Sequence, residues 1–218
     1  RAGKWSLSKE NYLKAYKLDP GSPQIIHSFA VTFSLLGEYQ EAETYFNKAI
    51  SINPMFTEAI WQKSFMYQKW KGNTIESRAT IEEAYKINED ISDPRILEQN
   101  VLLDIYDGHY QKALTDLSLK DYDIVDSQFY INLKSLLFAR VYNLLNMPEK
   151  ASECFSSARI SLESKIHKDP DDPRLYSAVG IAYAGLGLKE KAVEAGKRGV
   201  QLMPVSKEAF RGVFRVED

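Results

Sequence analysis

The chain has 218 residues, 44% of them hydrophobic and 27% charged, enough apolar content to bury a core. Acidic and basic residues number 30 and 28, a formal net charge of −2, which argues against a sequence-independent nucleic-acid surface, since that needs a basic stripe. The one cysteine, Cys154, cannot form an internal disulfide and points to a reducing, cytoplasmic setting, and no run approaches the ~18 apolar residues of a membrane helix.

Shifting the chain by 34 residues lays Gly3 on Gly37, Trp5 on Tyr39, Ser8 on Ala42, Tyr12 on Phe46, Ala15 on Ala49 and Pro20 on Pro54. Each match has a packing reason. The glycine closes a turn between antiparallel helices, where a positive φ is tolerated without a Cβ. The aromatic two residues later opens the next helix over that turn. Small residues at Ser8/Ala42 and Ala15/Ala49 let helix backbones approach, and Tyr12/Phe46 fills the space between them. The proline stops the helix and redirects the chain.

Residues 1–22 accordingly read as the second helix of a unit whose first helix is missing, and residues 23–56 as the first full unit. Its set Ile26, Ala30, Phe33, Gly37, Tyr39, Ala42, Phe46, Ala49 and Pro54 resembles the tetratricopeptide repeat, residue type by residue type. Residues 57–93 continue in register through Ile60, Ser64, Tyr67, Gly72, Ser77, Ile81 and Ala84, with Glu89 where the proline belongs. A third unit over 94–126 turns at Gly108 and puts Asn100, Val101 and Asp104 at core-type positions.

A fourth unit over 127–172 carries Ala139, Tyr142, a turn at Asn146-Met147-Pro148, then Ala151, Phe155 and Ala158, with a second helix running on to about His167. A fifth over 173–206 is regular again, although Gly196 stands where an aromatic is usual, and 207–218 reads as the start of a further unit. The intervals between turns in the middle stretch to 35, 36, 38 and 41 residues. The resemblance implies one all-α domain, a right-handed superhelical solenoid of antiparallel helix pairs, expected to continue in flanking sequence because a solenoid needs caps.

No chemistry-bearing motif accompanies the repeats. A Gly-rich phosphate loop, a GxSxG elbow and an HExxH helix are all lacking, and His27, His109 and His167 fall in three different repeats. The reading is therefore of a non-enzyme with no cofactor and no metal, and function is expected on a surface. In the resembled family the first helices line a concave groove. Transferred to this chain, its positions give the candidate partner site His27, Val31, Trp61, Gln62, Phe65, Gln99, Tyr106 and Arg140. Trp61, Phe65 and Tyr106 would be the aromatic anchor, flanked by Gln62, Gln99 and Arg140, since peptide-binding surfaces favour Trp, Tyr and Arg. Leu133, Leu136 and Leu137 are too apolar for a solvated face and are expected buried or against a second chain. The Lys and Asn or Arg set with which some relatives clamp a chaperone's C-terminal carboxylate is replaced here by His27, Val31, Gln62 and Glu98.

The stretch from Asp169 to Asp218, with Leu202-Met203-Pro204-Val205-Ser206-Lys207 and Val216-Glu217-Asp218, is similar to the repeats of bacterial multidomain regulators carrying TolB-like, adenylate-cyclase or serine/threonine-kinase modules. The expected function is a scaffold for a protein or peptide partner, in trans or within its own chain, with neither nucleic acid nor membrane as target. The alternatives are a regulatory segment of a larger signalling enzyme or transcription regulator, and a self-association module.

Overall fold

A computed structural model of the chain describes residues 3–89, 91–119 and 121–211. They divide into two compact units, one over Lys4–Asp107 and the other over the described residues from Gly108 onward, with Gly3. The first unit is six helices: α1 (Trp5–Leu18), α2 (Pro23–Leu35), α3 (Tyr39–Ile52), α4 (Thr57–Lys71), α5 (Ile75–Ile87) and α6 (Pro94–Tyr106). The apolar positions recur at helical spacing and meet where α2 lies antiparallel to α3, so that Ile26, Phe29, Ala30 and Phe33 of α2 close on Ala42, Phe46 and Ala49 of α3. Ala30, Ala42 and Ala49 are fully shut from solvent, as close backbone approach requires.

The second unit contains α7 (Tyr110–Leu119), a strand pair β1 (Ile124–Asp126) and β2 (Ile131–Leu133), α8 (Lys134–Leu144), α9 (Pro148–Lys168), α10 (Pro173–Gly185) and α11 (Lys189–Leu202). Its core joins Leu136 and Ala139 of α8, Phe155, Ala158 and Leu162 of α9, and Leu175, Ala178, Val179 and Ala182 of α10. α9 reaches Lys168, the extra turns expected of the fourth unit. The strands were not expected. Where a helix was read from Ser127, an antiparallel hairpin pairs Ile124 with Leu133, Val125 with Asn132 and Asp126 with Ile131. The Ser127 hydroxyl accepts from the amides of Phe129 and Tyr130 and fixes its turn. Val125, Ile131 and Leu133 are buried, which anchors the hairpin to the helices. Leu136 and Leu137 are likewise buried within the chain.

One backbone device recurs. The residue that ends each first helix and reverses the chain is left-handed at Gly37 (φ 76°), Gly72 (66°), Gly108 (77°), Asn146 (56°) and Gly187 (72°). After three of them the next amide reaches back five residues: Glu38 to the Phe33 carbonyl, Met147 to Tyr142 and Leu188 to Tyr183, at 2.9–3.0 Å. This is the Schellman closure, which satisfies carbonyls that a helix end otherwise strands. Residues 205–211 form turns, in which Phe210 meets the Phe129 ring edge-on at 5.1 Å. The remainder of the further unit read from 207, including Val216-Glu217-Asp218, lies outside the described residues. Among the described residues no helix is long and apolar enough to cross a membrane.

Candidate partner-binding face

In the first unit α2 adjoins α4 and α4 adjoins α6, and the three helices carry seven of the eight expected groove residues; Arg140 sits exposed on α8 of the other unit. The face begins with how α6 starts. In Asp93-Pro94-Arg95 the proline takes the first helical position, where its missing N–H is no loss, and the Asp93 carboxylate caps the helix by accepting from the Arg95 amide at 2.9 Å. The same carboxylate accepts from Arg95 Nε at 3.1 Å and from Nη2 at 2.7 Å, while Thr57 Oγ1 donates to its second oxygen at 2.5 Å. Glu58, in the first turn of α4, takes the remaining guanidinium nitrogen, Nη1. Clamped from two sides, the guanidinium lies over the Trp61 ring, 5.8 Å from its centroid.

From there a column runs along α4. Trp61 and Phe65, four residues apart and therefore on one face, stack at 6.1 Å and 13°, and Lys69 lies 4.9 Å above the Phe65 ring. Arg95, Trp61, Phe65 and Lys69 thus form four layers in which each ring carries a cation. Trp61 is only 4% exposed, so its place is structural, beneath Arg95. Phe65 is half-buried, and the accessible members of the column are Phe65 and Lys69. Tyr106, at the end of α6, is 51% exposed.

The remaining candidates divide by accessibility. Gln99 points inward: its amide approaches Ser64 Oγ at 3.4 Å in a buried polar cluster, where Ser64 and Ser77 hydroxyls lie 2.6 Å apart and Gln68 adds a contact to Ser77. The small serines of α4 and α5 leave the room that Gln99 fills. Gln62 is half-buried and donates to Glu58 at 2.8 Å. Val31 is half-buried on α2. His27 is wedged between Phe46 at 5.9 Å and Phe56 at 5.1 Å, with Nε2 closed off from solvent and without a hydrogen-bond partner. Burial brings its pKa down to about 4, Gln62 pulling it up and the Arg95 charge adding to the fall. At neutral pH it is an uncharged aromatic filler.

Sequence reading missed the carboxylates Asp93 and Glu58 as the holders of Arg95. A signal existed, because the same triplet recurs as Asp172-Pro173-Arg174 at the start of α10. There Asp172 caps the Arg174 amide at 2.9 Å and grips Nε and Nη2 at 3.0 and 2.7 Å, while Nη1 reaches Asp126 at 2.7 Å and the Ser127 carbonyl at 2.5 Å. One device serves two ends: on α6 it lays a cation on an aromatic, and on α10 it ties the strand hairpin to the helix.

The geometry can be set beside known proteins. Residues 23–54 match the tetratricopeptide repeat family model. No curated protein sequence matches the chain. Among solved structures, a tetratricopeptide repeat protein from Parabacteroides merdae is similar over 99% of this chain and 79% of its own, at 16% identity and a TM-score of 0.60. Human IFIT1, solved as a dimer with m7Gppp-AAAA, is similar at 18% identity and a TM-score of 0.61, over 96% of this chain but only 49% of its own. YrrB, described as a tetratricopeptide repeat protein with an unusual peptide-binding site, is similar at 15% identity and a TM-score of 0.50, over 96% of this chain and all of its own. At these identities the likeness is one of fold: the chain is a helical-repeat solenoid of the tetratricopeptide type.

Proposed function

We propose that the chain is a non-catalytic scaffold that holds a protein or peptide segment on the α2–α4–α6 face. The observation that carries the reading is the Arg95–Trp61–Phe65–Lys69 column, a rigid aromatic strip that is open at its Phe65–Lys69 end. Stacking holds the strip in place before any partner arrives, which lowers the ordering cost of binding. Phe65, Lys69 and Tyr106 are the contacts, with Val31, Gln62 and the His27 edge beside them, and Trp61 and Gln99 support them from below. Arg140, on α8 of the other unit, is not part of this face. The peptide site named for YrrB agrees in kind with this reading.

A non-catalytic role agrees with the one thiol, Cys154, which burial and then Glu153 push up, the reverse of what a nucleophile needs. The chain is read as cytoplasmic from that single cysteine. The likeness of residues 169–218 to bacterial multidomain regulators would make the scaffold a regulatory segment of a longer chain, and the sequence on either side decides that.

The test selects a displayed peptide on the immobilised protein and titrates it calorimetrically against variants. Phe65→Ala with Tyr106→Ala should weaken it by about thirtyfold, the ~2 kcal/mol of a hot spot, with unchanged helicity. Wild-type affinity in that double variant would refute the assignment.

A further inference from the structure

The second unit carries a cleft on a different set of helices. α9 and α11 both pack on α10, and between them a cleft of about 650 Å³ opens over the α10 surface. That is the size of clefts that take a bulky side chain or small ligand. Its floor is apolar, made by Ile166 of α9, Val179 of α10 and Ala195 of α11. Its walls are two tyrosines of α10, seven residues apart and so two turns along one helix face. Their hydroxyls are engaged, Tyr176 donating to the Pro170 carbonyl and Tyr183 to Glu163, both at 2.9 Å, which fixes the rings as walls.

Each wall carries a cation: Arg198 lies over Tyr176 at 5.8 Å, and Lys191 over Tyr183 at 5.6 Å. Lys197 adds a third positive group to the lining. The carboxylates of the lining are Glu163 and Glu194, of which Glu163 is held by Arg159 at 3.3 Å and by Tyr183, while Arg198 faces the exposed Asp171, at 3.5 Å, a pair that solvent weakens. The last turn of α9, where Ile166 stands, brings Lys165, His167 and Lys168 to the same end. An apolar floor between cation-capped aromatic walls has a definite complement.

We propose that this cleft is a second docking site, which takes a bulky apolar side chain of a partner peptide flanked by carboxylates. The apolar side chain covers Val179, Ala195 and Ile166, and the flanking carboxylates meet Lys191, Lys197 and Arg198 at the rim. The site is independent of the α2–α4–α6 face and needs no residue of it.

The probe is a fluorescein-labelled synthetic peptide carrying Leu-Phe with two glutamates on either side, titrated by fluorescence anisotropy into the whole 218-residue chain. Two control peptides replace the glutamates by lysine or the Leu-Phe pair by serine. Wild-type protein should bind the acidic apolar peptide and lose about tenfold or more in affinity toward either control, and raised salt should weaken the complex. The double variant K197E/R198E should weaken the acidic peptide by a similar factor and strengthen the lysine-flanked one, a reversal that an unfolded variant would not give. Lys69→Glu on α4 should leave the affinity unchanged. Equal binding of all three peptides, no binding of the acidic one, or a loss confined to Lys69→Glu would overturn the proposal; the last of these would place the peptide on the α2–α4–α6 face instead.

Discussion

At Gly37 an added Cβ would meet nothing within 4 Å, so the only obstacle to a side chain is the φ of 76°. Gly37→Ala therefore isolates backbone strain, and a loss of about 1–2 kcal/mol is expected from urea unfolding. Asn146 does the same work with a side chain at φ 56°, and Asn146→Gly should shift stability by less than about 0.5 kcal/mol. His27 supplies a residue-scale pH effect. Its folded pKa of about 4 lies below the ordinary 6.5, so between those values the unfolded chain binds a proton that the folded chain refuses. The penalty is absent above the ordinary value and grows as pH falls, reaching about 2 kcal/mol at pH 5. Denaturant midpoints at pH 7 and pH 5 should therefore converge in His27→Phe relative to wild type.

Among the elements, the α4–α5 contact is the most distinctive, because it is polar at its centre. Ser77 Oγ donates to the Ser64 carbonyl at 2.9 Å, and Gln99 and Gln68 complete the cluster. Ser64→Ala leaves buried partners short and should cost about 1–2 kcal/mol, whereas adding Ser77→Ala should cost about 1 kcal/mol less than the sum of the single losses. A double-mutant cycle in urea measures this, and strict additivity would show that the pair does not couple.

This cluster also explains where sequence reading fell short. The helices and their turns were legible because glycine, aromatic, small and proline residues sit at fixed offsets with one packing reason each. Gln99 and Trp61 were misplaced as surface residues because groove offsets assume an ideal repeat. Here two serines admit Gln99, and Arg95 roofs Trp61. The strand hairpin was illegible because three-residue strands are too short to show alternation, and because the second falls where the repeat register calls for a helix. The Asp-Pro-Arg triplet could be read twice in the sequence, but what its arginine covers depends on distant residues, Glu58 in one case and Asp126 in the other.

For the molecule as a whole, each unit has its own buried cluster, and all three tryptophans, Trp5, Trp61 and Trp70, lie in the first. Tryptophan emission thus reports on one unit, while far-ultraviolet circular dichroism reports on both. Phe155 is 5% exposed in the second unit, and its truncation to alanine should cost about 3 kcal/mol or more. In a repeat stack, where stability sums over local terms, Phe155→Ala should lower the dichroism midpoint further than the emission midpoint. Identical shifts by both probes would show that the chain unfolds as one block.

The left-handed turn residues carry a consequence for how such a chain can be rebuilt. Their backbone angles stay within a narrow band, while the stretches between them lengthen from Gly37 to Gly187. The added length goes into the interval from Gly108 to Asn146, which holds the strand hairpin, and that from Asn146 to Gly187, which holds the long α9. Angle is the conserved quantity and length the free one. Segments cut from one such residue to the next therefore have the character of interchangeable cassettes: joints of one standard, between which insertions of unequal size can be accepted without re-aiming the helix that follows.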